Sequence, residues 1–198
     1  MNRAQITAVV EGQGEVAAVP VLLRRMINEI APDCWVELPR PHRIARGSLL
    51  APGGVERTVA TVAEQGGSVL LLFDADDDCP AELAPQLLAR IKVTRPDRDS
   101  SVVLAKREFE AWFLAAAPSL RGQRGLANDL ALPAAPEKPR DCKGWLSAHR
   151  VDGRGYKPTA DQAALAARFD LTMARANSAS FDKLWRDVER LIRRSPTP

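Results

Sequence analysis

The feature that most restricts the fold is the run Ser68-Val69-Leu70-Leu71-Leu72-Phe73, which stops abruptly at Asp74-Ala75-Asp76-Asp77-Asp78. A short, unbroken apolar run reads as a strand buried on both faces, as in the middle of a parallel sheet. Residues 6–10 and 101–105 have the same character, and residues 34–38 read as a shorter strand. Helical spacing fills the gaps between them. Val16, Val19, Leu22, Leu23, Met26, Ile27 and Ile30 recur every three or four residues, with Pro20 expected in the first turns. Further helices are expected over 55–65, closed by Gly66-Gly67, over 80–91, and from about 108. The alternation predicts an α/β fold of Rossmann-like type, a mostly parallel central sheet flanked by helices.

From Pro118 to Pro158 the pattern gives way to Pro, Gly, Arg and Lys. Thr159, with Gln162 three residues on, then reads as a capping box. Ser178 or Ser180 is expected to open a last helix whose stripe of Phe181, Leu184, Trp185, Val188, Leu191 and Ile192 belongs to the core. The expected division is an α/β core over 1–117 and a basic, loop-rich and helical C-terminal extension over 118–198, packed on that core.

Composition excludes several classes. The chain of 198 residues is 45% hydrophobic and 27% charged, a globular balance. It has no apolar run of about 18 residues to cross a membrane. The start lacks a long apolar segment with a small-residue cleavage site, so no secretory signal is expected. Cys34, Cys79 and Cys142 suit neither a disulfide framework nor a zinc pattern, so a cytoplasmic location is expected. The net charge of +3 is unevenly spread: residues 1–100 carry 11 Lys/Arg against 14 Asp/Glu, and residues 101–198 carry 17 against 11.

Glu11 and Glu15 follow the first strand, and Asp74 and Asp76 follow the third. The carboxyl ends of parallel strands share one edge, where ligands bind, so these acids should meet. Unpartnered carboxylates repel one another and resist burial. A hard divalent cation, Mg²⁺ or Mn²⁺, relieves both costs. Plain structural readings stand beside this one. Glu11 can be a loop acid, Glu15 can complement a helix dipole, and residues 76–78 can cap the helix near Pro80. A calcium loop does not fit, because Cys79 and Pro85 occupy its glycine and bidentate-glutamate positions.

The apolar strand with Glu11-Gly12-x-x-Glu15, followed by an apolar strand with Asp74-x-Asp76, resembles the Toprim domain. That domain is the metal-binding catalytic module of topoisomerases, bacterial-type primases, recombination proteins and overcoming-lysogenization-defect (OLD) nucleases. The second acid four positions on is most similar to the OLD type. Lys106-Arg107-Glu108-Phe109-Glu110-Ala111-Trp112-Phe113 resembles the next acidic motif of OLD-like proteins. With Lys143-Gly144-Trp145-Leu146 and Tyr156-Lys157-x-Thr159-x-Asp161-Gln162, nearly the whole chain resembles a small bacterial Toprim-like family. The resemblance implies a metal core of Glu11, Asp74 and Asp76. Glu15, Glu108 and Glu110 would complete the shell, with Glu11 and Glu110 in acid–base work and Lys157 beside the scissile phosphate. It further implies a nuclease in phage or plasmid defence, with an ATPase as a family-level partner.

The basic half supplies candidate phosphate contacts: Lys106, Lys143, Arg150, Arg154 and Lys157, with Trp145 and Tyr156 interleaved. Arg40, Arg43 and Arg46 form a second group after the second strand. A solvated, proline-rich loop explains the same residues equally well. The expected function is Mg²⁺-dependent phosphodiester hydrolysis on nucleic acid. The alternatives are a non-catalytic Toprim scaffold that binds nucleic acid or a partner, and a metal-dependent nucleotidyl or glycosyl transferase.

Overall fold

A computed structural model describes residues 4–194. Its sheet has five parallel strands: β1 (Ala4–Val10), β2 (Val36–Glu37), β3 (His42–Arg43), β4 (Ser68–Asp74) and β5 (Ser100–Ala105). β1 pairs on one side with β2 at its start and β3 at its end, and on the other side with β4, which pairs with β5. The helices are α1 (Gln13–Ile30), α2 (Arg46–Leu50), α3 (Gly54–Ala63), α4 (Pro80–Thr94), α5 (Ala111–Ala115), α6 (Cys142–Ala148), α7 (Ala163–Ala166), α8 (Leu171–Asn177) and α9 (Ala179–Arg194). The expected α/β class with a mostly parallel sheet and C-terminal helices is the class observed. No helix among the described residues is long and apolar enough to cross a membrane.

The two-sided burial of β4 follows from strand geometry, in which successive side chains point to opposite faces. Leu70 and Leu72 join Ile6, Ala8, Val10, Val103 and Ala105 against α1, α5, α8 and α9. Val69, Leu71 and Phe73 join Val9, Val102 and Leu104 against Val55, Val59 and Val62 of α3 and Leu87 and Ile91 of α4. From β1 the chain moves one way through α1, then returns past β1 to β4 and on to β5. That reversal makes the carboxyl ends of β1 and β4 the switch point of the sheet, the place where ligands of such folds bind. The C-terminal helices share the first cluster, where the Phe109, Trp112, Phe113, Phe169 and Phe181 rings pack at 4.7–5.6 Å between centroids.

Several local expectations shift. The strand expected over 34–38 shrinks to β2, and the loop after it contributes β3. Pro39 and Pro41 lack the N–H a continuous ladder needs, so the outer edge of β1 is shared by two short pieces. Pro20 is the eighth residue of α1 rather than an early one. The helix runs through it because Ala18, Val19, Leu22, Leu23, Met26 and Ile27 are almost wholly buried. The Thr159 capping box does not form. A π-turn, Pro158–Gln162, starts there without a side-chain cap, and Asp161 Oδ2 accepts the Lys157 N–H at 2.9 Å instead. Gln162 is drawn inward to Glu110. Ser178 caps α9, its Oγ accepting from Phe181 N at 3.0 Å, while Ser180 Oγ accepts from Trp112 Nε1 at 2.9 Å.

Candidate functional site

Three strand ends deliver acids to this edge of the sheet. β1 exits at Glu11, and one turn later Glu15 sits at the start of α1, only 5% exposed. Glu15 Oε2 accepts the Glu11 N–H at 3.1 Å, so the helix-start reading of this acid holds as far as its hydrogen bond goes. β4 ends at Asp74, whose Oδ1 accepts Phe109 N–H at 2.7 Å. The exits of β4 and β5 stay paired beyond the sheet through Ala75 N to Ala105 O and Asp76 N to Arg107 O. This pairing sets Glu108 and Glu110 beside Asp74.

Glu110 is fully buried. Its Oε1 accepts from Tyr156 Oη at 2.9 Å and from Gln162 Nε2 at 3.2 Å. Its Oε2 has no partner in hydrogen-bond geometry, although Lys143 Nζ lies 3.0 Å away. Lys143 Nζ is also 2.8 Å from Glu108 Oε1 and 3.9 Å from Asp74 Oδ2. Glu108 Oε2 accepts the N–H groups of Cys142 and Lys143 at 2.8 and 3.3 Å. One carboxylate thus fixes the first turn of α6 and the lysine that projects from it.

The electrostatics of the cluster are costly. Burial, with added repulsion from Glu110 and Glu11, pushes the Glu15 carboxyl up to about 7, against the pull of its backbone hydrogen bonds. Burial and the charges of Glu15 and Glu110 raise Asp74 well above the carboxylate range, with Lys143 opposing. Glu110 is raised by burial, again against Lys143. Burial alone would lower Lys143, but Glu110, Glu108 and Asp74 together hold it above its ordinary value. Burial and the nearby acids push the Cys142 thiol up to about 12, which makes it inert as a nucleophile.

The Asp-Ala-Asp motif divides. Asp74 faces the cluster, whereas Asp76 has a left-handed φ of 48° and a side chain 61% exposed. Asp76 lies 3.7 Å from Arg46 Nε, and Arg46 also pairs with Asp78 and covers the Phe73 ring. Asp77 pairs with Arg107 and Arg140. The rim acids are therefore matched by arginines. Among the described residues, no group of three or more His, Cys, Asp or Glu is set to hold a metal ion as it stands.

The basic residues divide as well. Arg150 has a side chain 7% exposed, tied to Asp152 and Asp161, and Arg124 joins Asp161 at 2.9 Å. These are internal pairs. Lys157 is exposed; its backbone N–H donates to Asp161 Oδ2, and its carbonyl accepts from Ala160 and Asp161 N–H. Arg40, Arg43 and Arg154 are exposed, and Lys106 is half-buried. A separate cavity of about 540 Å³ lies at the amino end of β5, where Lys92, Arg98, Lys183 and Arg190 face Asp99 and Asp187.

The sequence reading missed that Lys143 occupies the middle of the acids, and that Tyr156 and Gln162 hold Glu110. The long irregular segment before α6 delivers Lys143, so no local period could announce it. Tyr156 reads from the sequence as an aromatic interleaved in a basic run and Gln162 as half of a capping box, and neither role points to Glu110. Gly14 belongs to the same construction, because a Cβ there would lie 2.3 Å from Gln162 Oε1 and 2.8 Å from the Pro158 backbone. Gly14→Ala is expected to destabilise the fold by about 1–3 kcal/mol, as overpacking does. Chemical denaturation checks this, and an unchanged midpoint would disprove the contact.

Comparison with protein families brings one match, a domain of unknown function (DUF4276), over residues 10–189. The chain belongs to this family. The match takes in Glu11, Glu15, Asp74, Glu108, Glu110, Lys143, Tyr156 and Gln162, so the whole cluster lies within the DUF4276 region. No curated protein and no solved structure matched the chain. The family description names no activity.

Proposed function

We propose that this DUF4276 protein is a Toprim-like, divalent-cation-dependent phosphodiesterase acting on nucleic acid. The observation that carries the reading is the gathering of buried Glu15 and Glu110 with half-buried Asp74 at one sheet edge, each held toward its protonated form. Holding three such acids together costs the fold stability as they ionise, and strongly perturbed groups gathered at a strand-end edge mark functional sites.

The donor set fits Mg²⁺ or Mn²⁺. It offers carboxylate oxygens, and the cluster already draws in an ammonium, which is 3.0 Å from the buried Glu110 Oε2. Glu15, Asp74 and Glu110 would hold the ion, with Glu11 beside them at the end of β1. Bound there, it would lower the pKa of water and offset charge building on the phosphate. In the cation-free protein the Glu15 carboxyl is held up to about 7, so it would release a proton as the ion binds. Tyr156 and Gln162 fix Glu110 through Oε1 and leave Oε2 directed at the cluster.

A second reading, a non-catalytic nucleic-acid scaffold, is favoured by the arginine pairing of Asp76, Asp77 and Asp78. Incubation of labelled DNA and RNA strands with Mg²⁺ or Mn²⁺, with binding followed in Ca²⁺, separates the two. Cleavage supports the phosphodiesterase. Binding without cleavage favours the scaffold, and neither result overturns both. The exposed cations give a sharper binding test than the internally paired Lys143 and Arg150. Reversing Arg40, Arg43, Arg154 and Lys157 to Glu is expected to weaken binding and flatten its log–log salt dependence by up to about 3. An unchanged salt slope would return these residues to plain solvation.

A further inference from the structure

Lys143 sits where the carboxylate cluster requires positive charge. Its Nζ is 2.8 Å from Glu108, 3.0 Å from Glu110 and 3.9 Å from Asp74, so a single ammonium answers three acids. A divalent cation held by Asp74 and Glu110 would need the same oxygens, Asp74 Oδ2 and Glu110 Oε2, at the shorter distances of metal coordination. Two cations sharing those oxygens in a poorly solvated cluster repel strongly. We propose that Lys143 and a divalent cation are alternative occupants of this cluster, so that Lys143 is a tethered counter-ion expelled when the cation arrives. The inference rests on the cation-dependent reading above and adds to it the device that sets the cation threshold.

The local construction allows the exchange. The Lys143 side chain is already 35% exposed, so its route to solvent is open. Glu108 Oε2 holds the backbone N–H groups of Cys142 and Lys143 independently of the ammonium, so α6 stays in place while the side chain swings. In the cation-free protein the lysine suppresses repulsion between Asp74 and Glu110. The same contact lowers the apparent cation affinity to the intrinsic affinity multiplied by the fraction of molecules in which Lys143 is out.

The test uses Mn²⁺, titrated by electron paramagnetic resonance against wild type, Lys143→Met and, as a control, Lys92→Met, an exposed lysine at the amino end of β5. With Lys143 outside the cluster in about a tenth of molecules or fewer, Lys143→Met should bind Mn²⁺ at least about tenfold more tightly, and Lys92→Met as wild type does. A second measurement needs no variant. Acetylation of Lys143 by acetic anhydride, followed by mass spectrometry, should speed up several-fold when Mn²⁺ is added, with Lys92 unchanged. Binding by Lys143→Met alone, or tighter binding than wild type, supports the exchange. Equal or weaker binding by Lys143→Met, with wild type still binding, overturns the exchange and leaves the cation-dependent reading standing. Absence of Mn²⁺ binding in both proteins overturns both. If Lys143→Met does not fold, acetylation decides: a rate unchanged or slowed by saturating Mn²⁺ overturns the exchange.

Discussion

Without added metal, the protein is expected to melt at least roughly 6–12 °C lower at pH 8 than at pH 5, and Glu15→Gln is expected to remove roughly that much of the difference. Glu15 is 5% exposed, and its carboxyl is held at about 7 against an ordinary 4.5. A raised pKa means that the folded state binds the proton more tightly than the unfolded state. The resulting stability is complete below about pH 4.5 and is lost as pH rises through about 7. The shift corresponds to about 3 kcal/mol at each unit's worth of 1.36, and a chain of this length moves about 2–4 °C per kcal/mol. Asp74 and Glu110 are shifted the same way and add to the fall. Glu56 and Asp97, which Arg90 and Arg95 hold at about 2, act in the opposite direction, but their effect is complete by about pH 5. Calorimetric melts of both proteins across pH 5–8 measure the difference. A flat wild-type profile, or an equally steep one in Glu15→Gln, would show that Glu15 titrates as an ordinary surface acid.

The sequence disclosed the sheet well because β4 is apolar without interruption, and that pattern has few other uses. It disclosed the address of Glu15, Asp74 and Glu110 for the same reason, since parallel strands end on one edge. It disclosed less where the backbone stops being regular. The shared strand end groups Asp76 with Asp74, but the left-handed backbone of Asp76 itself turns its side chain toward Arg46. Arg150 looked like a phosphate contact in a basic run, and only the approach of Asp161 from the π-turn shows that it is used internally. Lys157 and Lys143 were both visible as lysines of the basic half. What separates them is α6, whose start is fixed by a glutamate 34 residues earlier in the chain. Contacts of that span, made through irregular segments, leave no periodic trace.

Asp74→Asn should move stability and cation binding in opposite directions. Asn keeps the Oδ1 acceptor for Phe109 N–H, so the link between β4 and the β5 exit survives. It removes one charge from a site where burial, Glu15 and Glu110 all disfavour the carboxylate. Lys143 loses its most distant partner, at 3.9 Å, and keeps Glu108 and Glu110. The metal-free variant should therefore melt higher than wild type at pH 8, where the acids are most ionised. Mg²⁺ or Mn²⁺ affinity should instead fall about a hundredfold or more, since a neutral amide oxygen replaces an anionic ligand for a hard cation. Strand cleavage, if it depends on the ion, should drop by about 10²–10³, the scale of one lost electrostatic stabiliser. Calorimetric titration and melting curves on the same samples check both directions. A variant that binds the cation as wild type does would place the ion away from β4, whereas a variant that melts lower would mean that Asp74 stabilises the fold through Phe109 and Lys143 more than its neighbours repel it. The combination of higher stability and lost binding is the signature of a residue placed for chemistry at the expense of the fold.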